Sequence, residues 1–112
     1  MKVEYRTQKL KKQCEDPKKA QKDYGKDIGI KLTQRVGELQ AATSLLDIKN
    51  IPTARLHKLK GKRINEFAID LVHPFRLIIT PILIDVEDMN KLESINIVRI
   101  EEVTDYHGKQ KR

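Results

Sequence analysis

The chain is poor in aromatic residues and in cysteine, and it contains no long apolar run. Aromatic side chains make up 4% of the 112 residues and tryptophan is absent, so the core must be aliphatic. The single cysteine, Cys14, cannot form an internal disulfide, which favours a reducing, cytoplasmic location. No apolar stretch has membrane-spanning length, and the first residues lack the apolar segment of a signal peptide. The length predicts one domain spanning residues 1–112.

Several kinds of chemical site are also missing from the sequence. No cysteine–histidine cluster has the spacing of a zinc site, and no cluster of carboxylates indicates a two-metal nuclease. No glycine-rich phosphate loop of the P-loop type is present. We therefore expect neither a metal nor a cofactor.

Positive charge is what the chain has in excess. Its formal net charge is +7 and its pI is about 9.6. Residues 1–35 carry eleven lysines or arginines against five acidic residues. This balance favours a polyanionic partner, with nucleic acid the leading candidate, over a generic basic soluble protein.

The first third of the chain predicts one short strand and two short helices. Val3–Tyr5 alternates as a strand does. Gln8–Cys14 forms a plausible helical segment with a lysine-rich polar face. The pair Asp16-Pro17 is a good helix start, because aspartate accepts from free backbone N–H groups and proline tolerates the first helical position. Lys18–Tyr24 is the helix that it would begin.

A longer helix is predicted over Lys26–Thr43. Gly29 and Gly37 lower its intrinsic propensity, so packing against the rest of the protein must hold it in place. Ser44–Thr53 then serves as a connector. The apolar residues of the helix recur at helical spacing and should form its buried stripe: Ile28, Leu32, Val36 and Leu39.

The second half of the chain is rich in β-forming residues. Ile64–Val72 alternates, with its more apolar face including Phe67 and Ile69, whereas Phe75–Ile84 is apolar on both faces. His73-Pro74 links the two runs as a hairpin, and Ile95–Val103 predicts a further strand. Strands that follow a helical start indicate an α+β protein, with helices on one face of a small, mainly antiparallel sheet and the other face open for a ligand.

Three groups of residues could carry chemistry. The first is a basic loop without an acidic residue, which is either a solvated turn or a phosphate-binding loop: Arg55, His57, Lys58, Lys60, Lys62 and Arg63. The second is Arg76, within an apolar strand. Its planar guanidinium either contacts a phosphate or forms a structural salt bridge, perhaps with Asp70. The third is Asp105-Tyr106-His107, which is either a frayed end or a source of proton carriers and a stacking ring.

Together these groups suit RNA cleavage without a metal. The reaction needs a base for the ribose 2′-OH proton, cations that stabilise the charge on the phosphorane, and an acid for the leaving 5′-oxygen. Histidine, lysine and arginine side chains can fill these roles.

The order and spacing of four motifs resemble the RelE/ParE toxins of bacterial toxin–antitoxin operons, and within them the HigB branch. The motifs are His57-Lys58-Leu59-Lys60-Gly61, Phe67-Ala68-Ile69-Asp70, His73-Pro74-Phe75-Arg76-Leu77 and Asp105-Tyr106-His107. The resemblance implies a compact RelE-like α+β fold and a ribosome-dependent mRNA endonuclease. It also implies a toxin–antitoxin hetero-oligomer with a HigA-like helix-turn-helix antitoxin, through which alone the complex would bind operator DNA.

The resemblance also implies roles for individual residues. His57 and His107 fall where the family keeps its catalytic histidines, and Arg76 falls at the arginine that contacts the scissile phosphate. Lys60 matches a basic residue of the same site. Asp105 and Tyr106 match its acidic and aromatic members.

One segment departs from the family, and two other functions stay open. The acidic stretch 85–96 is longer than the family leads us to expect, and it would repel RNA if it faced the RNA-binding site. A ParE-like toxin with this fold would inhibit DNA gyrase instead of cutting RNA. A non-catalytic RNA-binding module is the third possibility.

Overall fold

The computed structural model describes residues 1–83 and 89–105, and it confirms the α+β class. Within these two ranges, four helices and five strands follow one another, with short 3₁₀ turns between them. The helices are α1 (Gln8–Glu15), α2 (Pro17–Tyr24), α3 (Lys26–Ala41) and α4 (Leu45–Lys49). The strands are β1 (Lys2–Tyr5), β2 (His57–Lys58), β3 (Phe67–Asp70), β4 (Phe75–Pro81) and β5 (Ile97–Asp105).

The five strands form one mixed sheet in the order β1-β5-β4-β3-β2. Only the β1–β5 pair is parallel, and the other neighbours are antiparallel, so the sheet is mainly antiparallel as predicted. The helices cover one face. The core between helices and sheet is aliphatic, and its most deeply buried members come from both layers: Leu32, Leu39, Leu45, Ile48, Ile69, Leu77, Ile79, Val98 and Ile100.

Side-chain caps set the starts of the first two helices. The hydroxyl of Thr7 accepts a hydrogen bond from the backbone N–H of Leu10 at 3.1 Å. The Asp16 carboxylate accepts one from the backbone N–H of Lys18 at 3.0 Å, and Pro17 occupies the first position of α2. Both contacts satisfy N–H groups that have no partner within the helix. The predicted helix start at Asp16-Pro17 is therefore confirmed.

The apolar stripe of α3 faces the core as the spacing predicts. Leu32, Val36 and Leu39 are buried, and Ile28 is half-buried against the same cluster. The helix ends at Ala41, two residues earlier than predicted, because Ala42 is extended.

Two short elements differ from the sequence-based expectation. The predicted connector 44–53 contains α4 and the start of a 3₁₀ turn at Pro52–Ala54. Leu45 and Ile48 of α4 are fully buried, so tertiary packing stabilises a helix too short to show a periodic pattern. The basic loop contains the two-residue strand β2, which pairs with β3.

The predicted hairpin is present as β3 and β4, but both strands are shorter than the predicted runs Ile64–Val72 and Phe75–Ile84, since β3 begins at Phe67 and β4 ends at Pro81. Its turn contains His73-Pro74, and the backbone N–H of Leu71 donates to the carbonyl of Phe75 at 3.1 Å. β4 is the central strand of the sheet. Ile78, on the face opposite the helices, is only 2% exposed. The expectation that this strand is apolar on both faces is thus confirmed at its centre.

Within residues 1–83 and 89–105, every helix is too short or too polar to cross a lipid bilayer.

The thiol of Cys14 should be inert in the folded protein. The residue is 4% exposed, and burial, with a smaller contribution from the Glu15 carboxylate, raises the pKa of the thiol to about 12 from an ordinary value of 9.0. Because only the thiolate reacts, we expect labelling by an aromatic disulfide at pH 8 to be roughly a thousandfold slower than for a free thiol. Full labelling after denaturation in urea is the control. Rapid labelling of the native protein would contradict this burial.

Candidate active site on the outer face of the sheet

The sheet face turned away from the helices is called the outer face here. Strand residues alternate between the two faces, and directly paired residues share a face. Phe67, Ile69 and Leu77 belong to the core under the helices. The outer face therefore carries the alternate positions of the central ladders: His57, Ala68, Asp70, Arg76, Ile78, Glu102 and Thr104.

The ladder register brings His57 and Arg76 to the same face. His57 lies opposite Ala68, and two residues further along β3, Asp70 lies opposite Arg76. His57 and Arg76 are two strands apart across the sheet and two residues apart along the strands, so about 12 Å separates their Cα atoms. Over this distance both side chains can reach one phosphate group held between them.

Arg55 lies at the same end of the outer face as Arg76, and its backbone conformation is unusual. It follows the 3₁₀ turn Pro52–Ala54 with φ 46° and ψ 47°, in the left-handed region. A non-glycine residue pays about 1–2 kcal/mol for this conformation. The turn directs the guanidinium to Asp70, where Nη1 lies 3.4 Å from Oδ2 while the arginine side chain stays 68% exposed. We call Arg55, His57, Asp70 and Arg76 the Arg76 cluster.

A backbone carbonyl orients the imidazole of His57. Nδ1 lies 2.7 Å from the carbonyl oxygen of Arg55. A carbonyl oxygen only accepts, so Nδ1 must carry the proton and donate it. The neutral ring then has its lone pair on Nε2, the nitrogen suited to take a proton from a substrate. The side chain is half-buried, which limits its rotation.

The remaining cations of the basic loop point elsewhere. Lys58 pairs with the core residue Phe67, and its Nζ donates to Oδ1 of Asn90 at 3.1 Å. Lys60 and Lys62 are exposed in the turn beyond β2, at the opposite end of the β2–β3 hairpin from the Arg76 cluster. The structure thus separates Lys58, Lys60 and Lys62 from Arg76.

Arg63 folds back onto the middle of the outer face. Its guanidinium donates to the carboxylates of Glu66 and Glu102. The hydrogen bonds that Arg63 donates to Glu66 and then to Glu102 raise the pKa of its guanidinium above the ordinary value. The loop lacks acids of its own, but Glu66, just before β3, and Glu102 of β5 supply them, so this arginine is paired within the protein.

The C-terminal group is described only in part. Asp105 lies opposite Phe75 in the β4–β5 ladder, one residue away from the Arg76–Thr104 pair. It is therefore at the same end of the sheet as Arg76 but on the other face. Tyr106 and His107 lie outside the described residues. That His107 and Arg76 belong to one site, as the resemblance implies, stays a prediction.

The excess positive charge of the first third lies mainly on the solvent side of α1 and α2. Six lysines there and at the start of α3 are exposed: Lys9, Lys11, Lys12, Lys18, Lys22 and Lys26. A surface of this kind is suited to contacts with phosphate groups.

The structure gives Asp70 and Arg35 contacts that the sequence did not indicate. The Asp70 carboxylate, a predicted partner of Arg76, lies 3.4 Å from the Arg55 guanidinium. Arg35, one of the basic residues of the first third of the chain, is only 2% exposed. Position 35 lies three residues after Leu32 and four before Leu39, so helical periodicity alone puts it on the buried stripe.

Arg35 is buried with three hydrogen-bond partners. Nε donates to the carbonyl of Asp70 at 2.9 Å, and Nη2 donates to the carbonyl of Thr53 at 3.0 Å. Nη1 donates to the Glu38 carboxylate at 2.8 Å. A buried guanidinium tolerates removal from water only when paired and hydrogen-bonded in this way.

The Arg35–Glu38 pair should make stability depend on pH. Partial burial of Glu38 acts to raise its pKa, but hydrogen bonds from Arg35 and Gln34 and the charge of Arg35 hold it below the ordinary value of 4.5. The depressed pKa contributes stability above pH 4.5, and this contribution is lost as pH falls through the folded-state value. We expect Glu38→Gln to have a lower urea midpoint than the parent at pH 7, and the difference between the two midpoints to be smaller at pH 3. A difference of the same size at both pH values would contradict the pairing.

Comparisons with known proteins do not assign this arrangement. No protein-family model matches the chain. A search of curated proteins also finds no similar sequence. In the part of the chain that the structure describes, no group of three or more histidine, cysteine, aspartate or glutamate side chains is placed to hold a metal ion. The chemistry of the Arg76 cluster and the distribution of charge are therefore what indicate a function.

Proposed function

We propose that the protein is the toxin of a type II toxin–antitoxin system, a ribosome-dependent mRNA endonuclease similar to HigB toxins. The observation that supports this most is the Arg76 cluster. It combines an imidazole with an available Nε2 and two guanidinium groups at one end of the outer face. These are the groups that cleavage of RNA through its own 2′-OH requires.

In the proposed reaction the ribose 2′-oxygen attacks the adjacent phosphorus. Nε2 of His57 takes the 2′-OH proton, and the bond from phosphorus to the 5′-oxygen breaks. Arg76 and Arg55 stabilise the extra negative charge on the phosphorane, for which the planar guanidinium fork is well suited. The products are a 2′,3′-cyclic phosphate and a 5′-hydroxyl.

The leaving 5′-oxygen needs a proton from a second group. By the resemblance to HigB toxins, His107 provides it and Tyr106 stacks on a base. His57 and His107 can exchange the roles of base and acid.

The exposed lysines of α1 and α2 would bind ribosomal RNA in this function. Such contacts release counterions and weaken steeply with salt. The messenger codon would then lie across the outer face near the Arg76 cluster. A HigA-like helix-turn-helix antitoxin, encoded beside the toxin, would silence the protein and link it to operator DNA.

Primer extension on a translated message tests the proposal. The purified protein is added to programmed ribosomes and, separately, to the same RNA without ribosomes. We expect cuts only on the ribosome, with cyclic-phosphate ends. Intact mRNA together with inhibition of gyrase supercoiling would instead support the ParE-like function. A protein that neither cuts mRNA nor inhibits gyrase but still binds RNA would be a non-catalytic RNA-binding module.

A further inference from the structure

We propose that Arg35 is a positioning residue that fixes the loop carrying Arg55 and His57 relative to the strand carrying Arg76. This placement is a property of the fold, and its consequence for RNA cleavage rests on the function proposed above. Arg35 lies in α3, on the other side of the sheet from the outer face, so it acts through other residues and does not contact RNA.

The two carbonyls that Arg35 binds belong to the two halves of the site. Thr53 precedes Arg55 by two residues in the 3₁₀ turn, and its carbonyl accepts from Nη2. Asp70 ends β3 opposite Arg76, and its carbonyl accepts from Nε. One rigid, planar group therefore fixes the distance between segments that are 18 and 35 residues away from it in sequence.

The contacts form a closed circuit through the site. From Arg35 the circuit runs to the Thr53 carbonyl and along the backbone to Arg55. The Arg55 side chain then meets the Asp70 carboxylate at 3.4 Å, and the Asp70 carbonyl returns to Arg35. The Arg55 carbonyl in turn orients His57. A displacement at Arg35 thus changes the placement of the imidazole and of both guanidinium groups.

Lysine cannot replace arginine in this circuit. A lysine keeps the positive charge near Glu38 but has a single nitrogen at the end of a flexible chain. It cannot hold the Thr53 and Asp70 carbonyls in a fixed plane. Arg35→Lys therefore separates the positioning role from the charge.

The experiment measures cleavage on programmed ribosomes at increasing protein concentration. For Arg35→Lys we expect the saturating rate constant to fall about a hundredfold, because a misplacement of about 1 Å has an effect of that size. The concentration for half-maximal rate should not change, since the RNA-binding surface is intact. Leu39→Ala is the matched control, because Leu39 is a fully buried residue of the same helix that makes no side-chain hydrogen bond to the site.

The control separates positioning from stability. We expect Leu39→Ala to lower the urea midpoint at least as much as Arg35→Lys and yet to cleave at the parent rate in conditions where both are folded. Equal rate constants for the two variants would overturn the proposal. If Arg35→Lys does not fold, Arg35→Gln, whose amide still donates to one carbonyl, takes its place.

A second readout does not depend on cleavage. In NMR spectra, the ring signals of His57 and the Nε–H signals of Arg55 and Arg76 should shift in Arg35→Lys but not in Leu39→Ala. Unshifted signals would overturn the positioning role even if the parent cuts RNA. Shifted signals with a parent that cuts nothing would support the positioning role and reject the proposed function.

Discussion

Replacing Arg76 with alanine is expected to lower the saturating rate of ribosome-dependent mRNA cleavage by about 10²- to 10³-fold. This is the effect of removing one preorganised donor from a developing anionic centre. Arg76 is half-buried on the central strand, opposite Asp70 on one side and Thr104 on the other. The central strand therefore fixes the position of its backbone before substrate binds, and preorganisation of this kind is what makes such a donor effective. Arg76→Lys should recover only part of the rate, because an ammonium lacks the planar fork.

Lys2→Ala is the matched control for this prediction. Lys2 lies on the edge strand β1, two strands away from β4, with its side chain 69% exposed and an ion pair to Glu4 at 3.7 Å. Its removal takes away the same unit of charge, and an exposed pair of this kind contributes little to stability. Cleavage rates and urea midpoints are measured for all three variants. Equal rates for Arg76→Ala and Lys2→Ala, with both folded, would show that Arg76 acts only through net charge.

The parts of the fold that local chemistry determines were predictable from the sequence. Thr7 and Asp16 begin helices because their side chains satisfy backbone N–H groups within three residues. The alternation around Phe67 and Ile69 identified the buried face of β3, because strand periodicity is a local property. In each case the signal lies in residues that are neighbours along the chain.

The parts that depend on distant contacts were not predictable. The helix α4 is stabilised by burial of Leu45 and Ile48, and the strand β2 exists only because β3 pairs with it. The acidic partners of Arg63 come from outside its loop, one of them 39 residues away. A single sequence contains the residues of such pairs but not the register that joins them.

The same distinction between local and distant contacts applies to the candidate site. His57 and Arg76 were recognisable as chemically apt residues, and their common face follows from two ladder registers, His57 with Ala68 and Asp70 with Arg76. The sequence offered no means of separating Lys60 from this cluster, because its distance depends on where the β2–β3 hairpin turns. The role of Arg35 was hidden for the same reason, since both of its backbone partners are distant in sequence.

A pair of glycine substitutions in α3 should have effects of opposite sign. Gly29 lies where α3 crosses α2, and a Cβ there would come within 2.6 Å of the Gln21 backbone and 2.8 Å of the Ala20 backbone. Backbone atoms of a packed helix cannot yield as a flexible side chain does. We expect Gly29→Ala to lower the free energy of unfolding by about 2–3 kcal/mol, because overpacking outweighs the gain in helix propensity.

Gly37→Ala is the control in the same helix. A Cβ at Gly37 meets nothing within 4 Å, so only the propensity gain remains. We expect it to raise the free energy of unfolding by about 0.5–1 kcal/mol. Urea titrations at pH 7 compare both variants with the parent. A stabilising Gly29→Ala would mean that α2 and α3 lie further apart than described. A destabilising Gly37→Ala would contradict the open space that the described residues leave at this position.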